Sequence, residues 1–432
     1  MRVLLLAPQN APPPTLEEQR LWAELGSPRR TARLEEDHAL ALALHMRDGG
    51  PLAPMLACRQ GSALHRRAMT LNLPVLPLPG VHPANPLTLF RLWRWQRRHA
   101  RLLVQTVGEE ALTLGHCLLR LRPRGSTLLA HAFLLRPPLD GKNPALHAAH
   151  KIFCGSGHVR ARLTAAADPG EQGGRADPSA PRLPGPRQVL LAPGLALEAE
   201  EHPLAREDSP AGARCVFGLG EALAPRSGAQ IVTRAMAAIW QREDLPPWEV
   251  RALGGGPRYQ ELLDEALTLG VAARLCLLND QPPALALPAC RVWIAPGTSP
   301  EELPETLWSG VAAGLPNICT RTPLHRERLD AAALQPDGPC PAQSTAVPPP
   351  DLCMEENGPA LWVPPDDPQA LAKAMIAMMT DAPLRRRLAE RSAALRPLVG
   401  LNTFAARACR CYTIWGRELG WIAPEAAPAG QS

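Results

Sequence analysis

The sequence predicts an α/β protein made of two doubly wound, Rossmann-like domains. Three observations carry this expectation. Short apolar runs alternate with helix-like segments along the chain, which is the rhythm of a parallel sheet flanked by helices. The rhythm fades in a polar stretch near the middle and then restarts. And 432 residues are more than one hydrophobic core usually holds.

The elements follow in order. Residues 2–8 form an apolar run stopped by Pro8, the pattern of a buried parallel strand. Residues 34–46 carry apolar side chains at helical spacing and end at Gly49-Gly50, a C-cap signal. A strand is expected at 73–78, a helix at 87–103 and strands at 127–133 and 151–154. Ser156 is placed to cap a helix over 158–165. Residues 168–186 are rich in Pro and Gly and lack periodicity, so they read as an inserted loop. A strand at 188–192 closes the first half. The second half repeats the pattern, with strands at 214–218, 249–253, 274–278, 291–295, 316–320 and 360–363. Helices are expected at 229–240, 259–269, 304–313, 368–380, 383–395 and 403–419, with a Pro-rich loop at 334–356. This gives domains at 1–190 and 214–402, joined by a linker at 191–213. Two such halves place an interdomain cleft where ligands meet strand carboxyl ends.

Composition narrows the function. An apolar fraction of 46% and a charged fraction of 20% are those of a soluble globular chain. The net charge of +5 is small and scattered, which argues against nucleic acid as a partner. Eleven cysteines are dispersed without a CxxC pair, so no metal site and no disulfide framework are expected. The opening run is too short for a secretory signal, and no stretch approaches the roughly 18 apolar residues of a membrane span. The expected location is cytoplasmic, at most peripheral on the inner face of the cytoplasmic membrane.

A few residues suggest chemistry. Arg226, Ser227 and Gly228 stand immediately before a helix, where backbone amides and a guanidinium together suit a phosphate. The bland alternative is a surface Arg beside a capping Ser. Gly254, Gly255 and Gly256 either let backbone approach a ligand or form a tight turn. The acidic cluster Glu301, Glu302 and Glu305 is either a ligand-facing helix start or a solvated first turn favoured by the helix dipole. The segment 87–99, with Trp93 and Trp95 among Arg91, Arg94, Arg97 and Arg98, has two readings. It is an interfacial helix making peripheral membrane contact, or a core-packed helix with a solvated Arg face.

Longer stretches carry a resemblance. Ala252-Leu-Gly-Gly-Gly-Pro-Arg-Tyr-Gln-Glu-Leu-Leu followed by Leu269-Gly-Val-Ala-Ala-Arg-Leu resembles the GxGPxxxxLxxxxxxLGVxxRV stretch of retaining GT-B glycosyltransferases of the group 1, or family 4, type. Arg291 to Glu301 and Val311-Ala-Ala-Gly-Leu-Pro-Asn-Ile-Cys-Thr are similar to the family's ADxxxxPSxxEGFGxxxxEAMAxGxPVVAT. Gly358-Pro-Ala-Leu-Trp-Val-Pro-Pro-Asp-Asp-Pro is similar to its NGxLVPPGDP. The first half agrees more loosely, through 1–8, 39–50, 73–79, Ala130-His131 and 154–163.

The resemblance implies a GT-B fold and sugar transfer, with retention, from a nucleotide-diphosphate sugar to a saccharide or lipid-linked acceptor, as in cell-surface polysaccharide or lipopolysaccharide synthesis. The nucleotide sugar is a donor substrate and no cofactor is implied. The resemblance sets His131 against the transferred sugar and Glu301 on its hydroxyls. It sets Arg226, Ser227, Gly228, Gly254, Gly255, Gly256, Pro257, Leu278, Glu302, Leu303, Glu305 and Ser309 around the nucleotide. It also implies that the helix at 403–425 returns to the first domain through Phe404, Tyr412, Ile414 and Trp415. Two positions depart from the family. Ser309 stands where its second carboxylate belongs, and Glu221 stands about where a cationic Arg belongs, leaving Arg226 as the evident cation. A catalytically degenerate relative acting as a binding or scaffolding partner is the alternative. A sugar-nucleotide epimerase is a third reading, disfavoured by the contexts of the glycines and Glu301.

Overall fold

The computed structural model describes residues 1–7, 28–48, 50–80, 85–121, 127–133, 144–166, 187–195, 214–220, 223, 226–256, 258–278, 287–299, 304–330 and 354–424. In chain order the first part comprises β1 (Arg2–Leu6), α1 (Pro28–Asp48), β2 (Ala53–Arg59), α2 (Ala63–Thr70), β3 (Val75–Leu78), α3 (Pro86–Gln96), β4 (Leu102–Val107), α4 (Glu109–Arg120), β5 (Thr127–Phe133), α5 (Pro144–Ala148), β6 (Lys151–Cys154), α6 (Gly157–Ala166) and β7 (Gln188–Leu190). The second comprises β8 (Cys215–Leu219), α7 (Ala229–Ile239), β9 (Trp248–Ala252), α8 (Tyr259–Thr268), β10 (Leu275–Leu277), β11 (Val292–Ala295), α9 (Pro304–Ala312), β12 (Asn317–Thr320), α10 (Pro323–Leu329), β13 (Glu355–Asn357), β14 (Ala360–Val363), α11 (Pro368–Thr380), α12 (Ala382–Leu395) and α13 (Leu401–Glu418).

Contacts divide the chain into two compact units. One contains Ala32–Pro193 with β1 and the stretch from Leu401 onward; the other contains Gly194–Gly400. In the first, the sheet order is β3-β2-β1-β4-β5-β6-β7, all parallel. In the second it is β10-β9-β8-β11-β12-β14-β13, parallel except for the antiparallel edge pair β13–β14. Each is a Rossmann order that reverses direction at its first strand. The central strands are covered on both faces, so the runs in β1, β8, β11 and β14 are continuously apolar rather than alternating.

The sequence reading needs correction in the first half. The helix expected at 87–103 ends at Gln96, because Leu102 and Leu103 open β4, a strand buried along its whole length. Two complete βα units, β2–α2 and β4–α4, were not anticipated. β2 reads Ala-Pro-Met-Leu-Ala-Cys-Arg, which is poor in β-branched residues and interrupted by Pro54. It is a strand because β1 and β3 pair with it on either side. In the second half, Glu355 and Glu356 lie in β13 rather than in a loop, and α10 fills 323–329, where no helix was expected. The segment 168–186 lies outside the described residues, apart from the structure on its flanks. Ser156 does accept from the Val159 amide at 3.3 Å, capping α6.

Helix α13 packs within the first unit. The Tyr412 hydroxyl donates to Gln105 Oε1 of β4 at 2.7 Å, Trp415 stacks on Phe153 of β6 at 5.5 Å, and His38 of α1 meets Phe404 edge-on at 4.4 Å. The fully buried Tyr412 thus has its polar tip satisfied, as a core tyrosine requires. Ile414 is exposed and takes no part in this packing.

Candidate functional site

The site is built at the switch point of the second sheet, where β8 and β11 lie side by side while their following helices leave in opposite directions. The chain leaving β8 folds back on the chain leaving β9. Leu223 donates its amide to Gly255 at 3.1 Å, and its carbonyl accepts from Arg258 at 3.0 Å. A side chain at Gly256 would lie 2.5 Å from the Leu223 oxygen. The glycines at 254–256 therefore serve the approach of one loop to another, and they do not line the cavity described next.

At Arg226 the backbone turns left-handed, with φ of 65°, and the Arg226 carbonyl accepts from Thr298, on the loop after β11, at 3.0 Å. Gly228 follows with φ of 76° as the N-cap of α7, without a side-chain cap. A Cβ there would sit 2.3 Å from the Pro296 carbonyl oxygen. Only glycine permits both that dihedral and that contact. The result aims the positive end of α7 into a cavity of about 300 Å³. Its polar and charged lining is Arg226, Ser227, Gln230, Arg258, Thr298 and Asp366, with Gly228 at the helix start. Ser227 Oγ accepts from the Ala229 amide at 3.4 Å.

Gln230, Arg258, Thr298 and Asp366 escaped the sequence reading, and two of them are charged. Arg258 precedes α8 and is a second cation at the site, correcting the expectation that Arg226 stands alone. It donates to Gln230 Oε1 at 3.1 Å and pairs with Glu261 at 3.3 Å. Its place directly after the glycine-proline run, at a helix start, was the available signal. Asp366 is left-handed, with φ of 56°, and stands where the similar motif has a glycine.

The other sequence-derived residues are dispersed. Leu278 directly follows β10, with its amide donating to Ala252 at 2.8 Å, and is half-buried against a core cluster. Ser309 is buried in α9. Pro257, Glu301, Glu302, Leu303 and Glu221 lie outside the described residues, as does the Glu305 side chain, although Glu305 is in the first turn of α9. His131 belongs to the first unit, in the middle of β5 and hydrogen-bonded to Thr106 of β4. It is fully enclosed, and burial pushes its imidazole down to about 3, so it stays neutral at ordinary pH.

Two Rossmann-ordered sheets in one chain, each flanked by helices, make the GT-B fold. Residues 214–381 match the family model of glycosyl transferases group 1. The solved structure of Anabaena HepE in complex with UDP is similar at a TM-score of 0.61 and 15% identity, covering 95% of this chain and 99% of that one. A glycosyltransferase from Rickettsia africae gives 0.60 at 12% identity, covering 97% and 98%. The lipopolysaccharide outer core galactosyltransferase WaaB gives 0.56 at 10% identity, covering 95% and 99%. No curated protein sequence matches the chain.

Proposed function

We propose that this chain moves a sugar, with retention of configuration, from a nucleoside-diphosphate donor to a saccharide or lipid-linked acceptor in cell-surface polysaccharide or lipopolysaccharide synthesis. The observation that carries the reading is the convergence of Arg226, Arg258 and the start of α7 on one cavity. A sugar leaves its donor as the diphosphate gains negative charge, and cations and amides already fixed in place stabilise that change without reorganising. The UDP and UDP-glucose held by HepE make UDP the natural first probe.

Calorimetric titration with UDP, GDP and ADP tests the reading. Wild-type protein should bind at least one of them, and Arg226→Ala should weaken that binding roughly tenfold to a hundredfold, the value of a charge-assisted hydrogen bond. Absence of binding to every nucleoside diphosphate would leave the degenerate partner reading, which Ser309 and Glu221 favour.

The acceptor side of the proposal includes peripheral membrane contact through α3. This helix buries Thr88, Leu92 and Gln96, while Leu87 and Phe90 are 63% and 53% exposed beside Arg91 and Arg94. The Arg97 guanidinium lies 4.9 Å from the centre of the Trp93 ring. Exposed apolar side chains interleaved with arginines suit the interface of an anionic bilayer. No helix among the described residues is long and apolar enough to cross a membrane. Replacing Arg94, Arg97 and Arg98 with Glu should release the protein from phosphatidylglycerol vesicles, since each cation near such a surface contributes about 1 kcal/mol. Failure of wild type to sediment with those vesicles at low salt would leave only the solvated Arg face.

A further inference from the structure

We infer that Arg258 is the second diphosphate-binding cation of this chain, held in reserve by Gln230 and Glu261 until the nucleotide arrives; the inference rests on the donor reading above. The resemblance places a cation near the end of β8, where this sequence has Glu221. The geometry supplies one from a different direction. Arg258 lines the same cavity as Arg226 but enters it from the start of α8. Its main chain is fixed, because its amide is bonded to the Leu223 carbonyl at 3.0 Å and Gly256 fits closely under that residue. Its side chain is less committed. The pair with Glu261 spans one helical turn, and that carboxylate is 61% exposed, so water screens the attraction. The bond to Gln230 is to a neutral amide on α7, itself a lining residue.

A diphosphate offers the guanidinium a bidentate, doubly charged acceptor, stronger than either present partner. Binding would therefore exchange the Gln230 and Glu261 contacts for phosphate oxygens. Asp366 bears on the same exchange. It lines the same cavity, in a place the similar motif leaves without a side chain, so its negative charge stands near the two arginines.

UDP titrations of four variants test this. Arg258→Ala should raise the dissociation constant about tenfold and flatten its dependence on salt, and Arg258→Lys should recover part of the loss. Glu261→Gln should tighten UDP binding about twofold to threefold by releasing the guanidinium. In the double variant Arg258→Ala, Glu261→Gln that gain should vanish, which a general change in surface potential would not produce. Should Arg258→Ala fold poorly, the Glu261→Gln result still decides. Unchanged or weaker UDP binding by Glu261→Gln, or a gain that persists without Arg258, overturns the inference. If Arg226→Ala loses UDP while Arg258→Ala retains it, the inference fails and the donor reading stands. If wild type binds no nucleoside diphosphate, both fail.

Discussion

Substituting valine for Gly228 should abolish nucleotide binding and destabilise the second unit. Two penalties combine at this position. A β-branched residue at φ of 76° is strongly disfavoured, and its Cβ would meet the Pro296 carbonyl at 2.3 Å. The obstacle is backbone, so no side chain can swing aside. Relief requires the loop before α7 to part from the loop after β11, breaking the Thr298-to-Arg226 hydrogen bond. Arg226 and the start of α7 would then lose their common aim. The expected cost is about 3 kcal/mol, a fall in Tm of roughly 6–12 °C for a unit of this size, with UDP affinity reduced at least about a hundredfold. This exceeds the effect of Arg226→Ala, which removes one guanidinium and leaves the loop in place. Gly270 provides the control: its φ is 71° but no heavy atom lies within 4 Å of its would-be Cβ. Gly270→Ala should cost about 1 kcal/mol and leave binding untouched. Scanning calorimetry and titration on both variants check the contrast, and a Gly228→Val protein binding UDP within threefold of wild type would contradict it.

The change Ser309→Glu restores a carboxylate at the family position and should be harmful here. Ser309 is 5% exposed in α9, and the next residue, Gly310, has no room for a side chain: a Cβ would lie 2.5 Å from Trp293. The helix therefore sits close on β11 and cannot easily roll to bring a longer side chain out. A buried carboxylate stays charged at a desolvation cost or takes up a proton, and both lower stability. The expected loss is about 2–4 kcal/mol, a drop in Tm of roughly 4–16 °C, with no gain in transfer. A Ser309→Glu protein as stable as wild type, with faster turnover, would place this residue in the family's second carboxylate role.

Much of the architecture was legible because it is written in local chemistry. β14 at Ala360–Val363 and α11 at Pro368–Thr380 emerge with the expected bounds. The strand is an apolar run between turn residues, and the helix begins at Asp367, which accepts from the Ala370 amide at 2.9 Å with Pro in the first turn. That Arg226, Ser227 and Gly228 stand together at the start of α7 was legible for the same reason, since their adjacency before a helix is local in the sequence. β2 and β4 were not legible, because their identity as strands comes from neighbours paired along the edges of the sheet. Only the tertiary structure decided the site. The order β9-β8-β11-β12-β14 carries Arg258 and Asp366 to the cavity at Arg226, and no local pattern records that order. His131 makes the same point in the opposite sense. Its sequence position resembles that of a sugar-facing histidine, but parallel strands on both sides of β5 enclose it, and the cost of burying charge keeps it neutral. A residue's chemical type is fixed by the sequence, whereas the solvent and partners that give it a role come from chain segments brought together by folding.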